Sequence, residues 1–128
     1  MDDKLLVGKS VLVVEDEMLV VMAIEDMLED LGCTSVKRAA SVQQALALID
    51  TQTFDLATLD VNLNGRDSYA VAQALSDRGV PFTFSTGDGR HGVSESYTGR
   101  PVLNKPFSRT QLVEILTGLL AEPLGEAA

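Results

Sequence analysis

Val11 to Val14 is an unbroken run of Val and Leu that stops directly at two carboxylates, Glu15 and Asp16. A strand that is apolar at every position is buried on both faces, as happens in parallel sheets covered by helices. The same pattern recurs along the chain. Ser35 to Ala39 reads as a weaker second strand, Phe54 to Leu59 runs straight into Asp60, Pro81 to Ser85 leads to Thr86, and the brief run Pro101 to Leu103 leads to Lys105.

Helix-period segments fill the intervals. Leu19, Met22, Ala23, Met27 and Leu31 fall at helical spacing, and Gly32 is placed to end that helix at C′. Ser41-Val42-Gln43-Gln44 and Ser108-Arg109-Thr110-Gln111 have the form of capping boxes. The first opens a helix with Val42, Ala45, Leu46 and Ile49 on one face. The second opens a last helix bearing Leu112, Ile115, Leu116 and Leu119, a stripe expected to be core. Ser68 to Asp77 is a helix with Gly79 just past its end. The stretch from Gly87 to Gly99 holds four glycines and leaves room only for a short helix around Val93 to Tyr97. Strand and helix therefore alternate about five times, which predicts an α/β fold with a parallel sheet and helices on both faces. Right-handed crossovers then place every strand C-terminus along one edge, where ligands bind in such sheets.

Composition limits the partners. The 19 Asp and Glu outnumber the 10 Lys and Arg, giving a formal charge of −9. That surface repels phosphate backbones, so direct nucleic-acid binding is not expected. The single cysteine, Cys33, rules out an internal disulfide and reads as a small buried hydrophobe. Met1-Asp2-Asp3-Lys4 lacks the layout of a signal peptide, and no apolar run reaches membrane-span length, so a cytoplasmic location is expected. The sole histidine, His91, reads as a solvated loop residue.

The polar residues at the strand ends define a chemistry. Glu15, Asp16 and Asp60 converging on one edge repel one another and are costly to desolvate, which a hard divalent cation resolves. Lys105 adds a compact positive charge and Thr86 a hydroxyl donor. Such a set suits a phosphoryl group on a carboxylate, with Asp60 as nucleophile and with Mg²⁺, Lys105 and Thr86 neutralising charge.

With these residues in view, the chain resembles the receiver (response regulator) family of two-component systems over nearly its whole length. An acidic pair after the first strand (Glu15-Asp16), an acceptor Asp after the third (Asp60), Thr after the fourth (Thr86) and Lys-Pro after the fifth (Lys105-Pro106-Phe107) stand in the family's order. The resemblance implies a flavodoxin-like doubly wound (βα)5 fold with strand order 2-1-3-4-5, from which the glycine-rich stretch after Thr86 departs by leaving the fourth helix short or irregular. The expected receiver domain covers residues 1–121, and the segment 122–128, with Pro123 and Gly125, reads as a frayed tail. The resemblance also implies Mg²⁺ (or Mn²⁺) bound directly by Asp16 and Asp60, by Glu15 through water, and by the backbone carbonyl of Asn62. The bond before Pro106 is typically cis in this family. Asn62 and Asp88, near the phosphate, are expected to affect its lifetime.

Phe84-Ser85-Thr86-Gly87 is also similar to the Phe-Ala-Thr-Gly signature of single-domain receivers of alphaproteobacteria, often found beside kinases of the HWE and related classes. That signature continues with an apolar residue and a tyrosine, where this chain has Asp88 and Gly89. Many receivers carry Tyr or Phe three residues before the lysine, where this chain has Val102.

The resulting expectation is a stand-alone phosphoacceptor rather than a turnover enzyme. A sensor histidine kinase or a histidine phosphotransfer protein would phosphorylate it. It would act on an unidentified protein target or drain phosphate as a sink. Each site residue alone has a plainer reading, as a helix N-terminus, turn or surface lysine, and their shared position at strand ends is what favours function. Three rivals remain. A haloacid-dehalogenase-type phosphatase would carry Asp-x-Asp after the first strand and a cap domain. A flavodoxin would need a Ser/Thr/Gly-rich phosphate loop where Glu15 and Asp16 stand. A receiver-like module could bind partners independently of phosphate.

Overall fold

In the computed structural model, which describes residues 4–63, 65–87, 102–105 and 107–121, a five-stranded parallel sheet forms the middle layer. The strands are β1 (Ser10–Val14), β2 (Ser35–Ala39), β3 (Leu56–Asp60), β6 (Phe82–Thr86) and β7 (Val102–Asn104). A two-residue antiparallel pair, β4 (Asn62–Leu63) and β5 (Arg66–Asp67), follows β3 as a small hairpin. The helices are α1 (Met18–Asp30), α2 (Val42–Thr51), α3 (Tyr69–Asp77) and α4 (Arg109–Ala121). The sheet order β2-β1-β3-β6-β7 is the expected 2-1-3-4-5 once the hairpin strands are set aside. The chain folds as a flavodoxin-like sandwich. The short helix expected at Val93 to Tyr97, His91 and the tail 122–128 lie outside the described residues.

Period-two alternation along the strands builds the two apolar layers. Leu12, Val14, Ala57, Leu59, Phe82 and Phe84 pack against Val42, Ala45 and Ile49 of α2 and Val71, Ala72 and Leu75 of α3. On the opposite face Val11, Val13, Leu56 and Leu103 pack against Ile24 and Leu28 of α1 and Leu112 and Leu116 of α4. Cys33 is buried in this second layer, as expected. Its thiol donates at 3.6 Å to the carbonyls of Lys9 and Ser35, and burial pushes its pKa up.

Local signals set the helix ends. The Ser41 hydroxyl accepts the Gln44 N–H at 3.1 Å, while Gln44 Oε1 reaches back to the Ala40 N–H at 2.8 Å. At α4 the box is fully reciprocal: Gln111 N–H to Ser108 Oγ at 3.1 Å, and Ser108 N–H to Gln111 Oε1 at 2.8 Å. α1 closes in a Schellman turn, with Gly32 at φ 89°, its N–H on the Glu29 carbonyl and the Cys33 N–H on the Leu28 carbonyl. α3 repeats that turn at Gly79, φ 70°.

Leu19, Met22 and Ala23 keep the expected helical spacing and face outward, with Leu19 83% exposed. The buried positions of α1 are Val21, Ile24 and Leu28, an equally helical set. From Met18 to Ile24 every residue is apolar, so periodicity permits either face. Contact with the sheet and α4 selects one. The strand limits also shift: Asp60 and Thr86 are the last residues of β3 and β6 rather than residues beyond them.

Candidate functional site

Parallel pairing brings the strand ends level. Val14 lies beside Leu59 and Ala39, Asp60 beside Ser85, and Thr86 beside Asn104. Glu15, directly after β1, is held to the sheet by its N–H on the Ala39 carbonyl at 2.9 Å. Lys105, directly after β7, donates its N–H to the Thr86 carbonyl at 2.9 Å. Glu15, Asp60 and Thr86 are buried, and Asp16 is half-buried. The five residues read from the sequence thus share one edge of the sheet.

Their side chains meet around Lys105. Its Nζ lies 2.8 Å from Glu15 Oε1, 3.1 Å from Asp60 Oδ2 and 3.7 Å from Glu17 Oε1. Glu15, Asp16 and Asp60 each present one oxygen, and these oxygens lie within 4.8 Å of one another. Burial, with the Asp60 charge nearby, raises the Glu15 pKa from 4.5 to about 7, against the opposing pull of Lys105. Burial works against the Lys105 charge too, but Glu15 and Asp60 together hold its pKa above the ordinary value.

A divalent cation fits this set on two counts. Glu15, Asp16 and Asp60 bring three mutually repelling carboxylates together in a desolvated cleft, a set that a divalent cation compensates. Glu15 Oε1 is buried against the Lys105 ammonium at 2.8 Å, and a carboxylate oxygen, with two lone pairs, can take a cation beside that contact. All three donors are hard oxygens, suited to Mg²⁺ or Mn²⁺.

The raised Glu15 pKa makes stability depend on pH. The folded chain holds this proton up to about pH 7 and the unfolded chain only to about 4.5. The fold binds more protons in that window, so the Glu15 contribution favours the fold at acid pH and is lost as pH rises through about 7. Lys105 has the same sign but loses its contribution only at alkaline pH. In metal-free buffer, Glu15→Gln is expected to flatten the fall in melting temperature between about pH 5 and 8. An unchanged slope would show that Glu15 titrates as an ordinary surface carboxylate.

Asn62 is exposed and opens β4. Its N–H donates to Asp60 Oδ1 at 3.2 Å, and its side-chain oxygen accepts the Gly65 N–H at 3.0 Å. Val102 sits in β7 beside Phe84, half-buried against the α2/α3 layer. Asp88 and Pro106, with its candidate cis bond, lie outside the described residues. Two features went unread in the sequence. One is the exposed apolar face of α1, where Met18 is 53% and Met22 51% exposed. The other is Ser68, which reads as the first residue of a helix but is fully buried with its hydroxyl on the Asp60 carbonyl. No spacing in the sequence marks either.

A family model described as response regulator receiver domain matches residues 11–117. Among curated proteins, the transcriptional regulatory protein PdtaR of Mycobacterium tuberculosis is 31% identical over 111 residues, covering 84% of this chain and 54% of PdtaR. The chain spans about half the length of the curated relatives it matches. The solution structure of SdrG from Sphingomonas melonis Fr1 aligns with a TM-score of 0.80 at 42% identity, covering 88% of this chain and 96% of SdrG. The receiver domain of the sensor histidine kinase PA1611 from Pseudomonas aeruginosa PAO1 aligns with a TM-score of 0.78 at 29% identity, covering 89% and 98% of the two chains. That domain carries a magnesium ion coordinated in its active-site cleft.

Proposed function

Because the chain belongs to the response regulator receiver domain family, we propose that it accepts a phosphoryl group on Asp60 from a sensor histidine kinase or a histidine phosphotransfer protein. Glu15, Asp16, Asp60 and the Asn62 carbonyl would hold Mg²⁺ or Mn²⁺. The observation that carries this reading is the buried acceptor Asp60, in contact with Lys105 and within one carboxylate cluster.

An Asp60 carboxylate oxygen forms the new O–P bond as the P–N bond of phosphohistidine breaks. The electron pair of that bond stays on the imidazole nitrogen, which takes up a proton. Lys105, already 3.1 Å from Asp60, turns its ammonium to the phosphoryl oxygens, and Thr86 supplies a hydroxyl from the end of β6. When bound, the divalent ion neutralises charge that builds on the transferring group. The product remains covalently on the chain, so the domain acts as a phosphoacceptor, signalling through a protein target or serving as a phosphate sink.

The exposed face of α1 suits the donor. A groove of about 470 Å³ lined by Glu17, Leu19, Ala23, Met27, Lys105 and Phe107 runs from this face to Lys105 at the site. A helix bearing the phosphohistidine can bury its apolar side against Leu19 and Met22 while reaching Asp60. The Phe84-Ser85-Thr86-Gly87 run, similar to the signature of single-domain receivers found beside kinases of the HWE and related classes, supports such a kinase as the source. Among the described residues, no helix is long and apolar enough to cross a membrane.

The test is intact-mass analysis after incubation with acetyl phosphate, in Mg²⁺ and in EDTA. A gain of one phosphoryl group in Mg²⁺ alone is expected. No gain from acetyl phosphate or from phosphorylated histidine phosphotransfer proteins would leave a phosphate-independent binding module as the reading.

A further inference from the structure

The hydroxyl of a serine at a helix N-cap ordinarily accepts a backbone N–H from the first turn. Ser68 stands at the N-cap of α3, with its carbonyl accepting from Val71 and Ala72, yet its side chain makes no cap bond. It is fully buried. Its Oγ lies 2.5 Å from the Asp60 carbonyl oxygen and 3.2 Å from that of Val61, and its N–H donates to the Val61 carbonyl at 2.9 Å. The hydroxyl proton therefore serves the acceptor's own main chain.

We infer that Ser68 is a positioning residue for phosphoryl transfer, holding the Asp60–Asn62 backbone so that the Asp60 carboxylate and the Asn62 carbonyl face the metal and the phosphoryl group. The inference rests on the phosphoacceptor reading above. The bonds form a closed path. Ser68 restrains the peptide after Asp60 and the one after Val61. The Val61 N–H is tied to the Ser85 carbonyl at 3.1 Å, and the next amide, that of Asn62, donates to Asp60 Oδ1 at 3.2 Å. The carboxylate is thus oriented by an amide whose own position depends on the serine. Without the hydroxyl, two buried carbonyls lose a donor and the two peptides gain freedom to rotate. Positioning errors of this kind weaken ligand and transition-state contacts while the fold persists.

Ser68→Ala is compared with wild type and with Ile49→Val, which removes one buried methyl from α2, away from the site. NMR titration with Mg²⁺ reads metal affinity and confirms the fold at once. Amide exchange in metal-free protein reads the loop directly, and mass analysis reads the rate of phosphorylation by acetyl phosphate. The expected result for Ser68→Ala is Mg²⁺ affinity and phosphorylation rate each lowered about fivefold, with faster exchange at the Val61 and Asn62 amides. Ile49→Val should match wild type in all three. If Ser68→Ala does not fold, Ser68→Cys, with only a weak donor, is expected to show the same losses. Unchanged Mg²⁺ affinity and loop exchange in the folded serine variant would overturn the assignment, as would equal losses in Ile49→Val. If wild type itself takes no phosphate, the phosphoacceptor reading fails, while titration and exchange still report on Ser68.

Discussion

Asp60→Ala is expected to abolish the phosphoryl mass gain completely, even at saturating Mg²⁺ and acetyl phosphate. Glu15 and Asp16 are also carboxylates, but their positions differ in kind. Glu15 follows the end of β1 and lies 2.8 Å from the Lys105 ammonium, and Asp16 begins the turn into α1. Asp60 stands at the end of the central strand β3, between β1 and β6, where Lys105 and the carboxylate cluster converge. The variant should stay folded, because Glu15 still partners Lys105 and one of three mutually repelling carboxylates has gone. Intact mass and circular dichroism on the same sample separate the two outcomes. An undiminished gain in the folded variant would place the phosphoryl group on another residue and remove Asp60 as the acceptor.

Phe84→Ala carries the largest expected cost to the fold. Phe84 is fully buried, meets the Phe82 ring edge-to-face at 5.4 Å, and meets Tyr69 of α3 at 6.0 Å. Truncating such a residue loses its transfer free energy, its ring contacts and the space it filled, about 3–5 kcal/mol in all. Against a typical domain stability of about 5–15 kcal/mol, that is a large part of the whole. Leu19→Ala removes a side chain of similar apolar character that is 83% exposed, and it should change stability by no more than about 0.5 kcal/mol. Urea unfolding of the three proteins checks both values. A loss below about 1 kcal/mol for Phe84→Ala would mean that the α2/α3 layer collapses around the gap, and that its aromatic contacts contribute little.

The contrast between these two residues marks how far the sequence is readable. Phe84 lies in the run Phe82 to Thr86, an inner strand paired on both edges and buried at every position between the helix layers, so burial follows from topology. Leu19 lies in a helix whose first seven residues are all apolar, and no periodicity distinguishes the inward side. The rotational setting of α1 comes from how Ile24 and Leu28 fit the sheet and α4. The site divides in the same way. Glu15, Asp16, Asp60, Thr86 and Lys105 were legible because each directly follows or ends an apolar strand. Parallel strands with right-handed crossovers then deliver their C-termini to one edge. Ser68 was not legible, because a serine before a helix has an ordinary local use as a cap, and its actual bond reaches eight residues back.

Short-range rules along the chain were therefore enough for strand and helix order, the capping boxes at Ser41 and Ser108, the helix-ending glycines Gly32 and Gly79, and the polar groups that follow the strands. Only the tertiary structure decided the contacts between groups distant in the chain. It set which face of α1 stays open, that Lys105 contacts both Glu15 and Asp60, and that the Ser68 hydroxyl bonds the Asp60 carbonyl instead of its own helix. These contacts depend on how packed layers meet in three dimensions, and no local preference along the chain encodes that geometry.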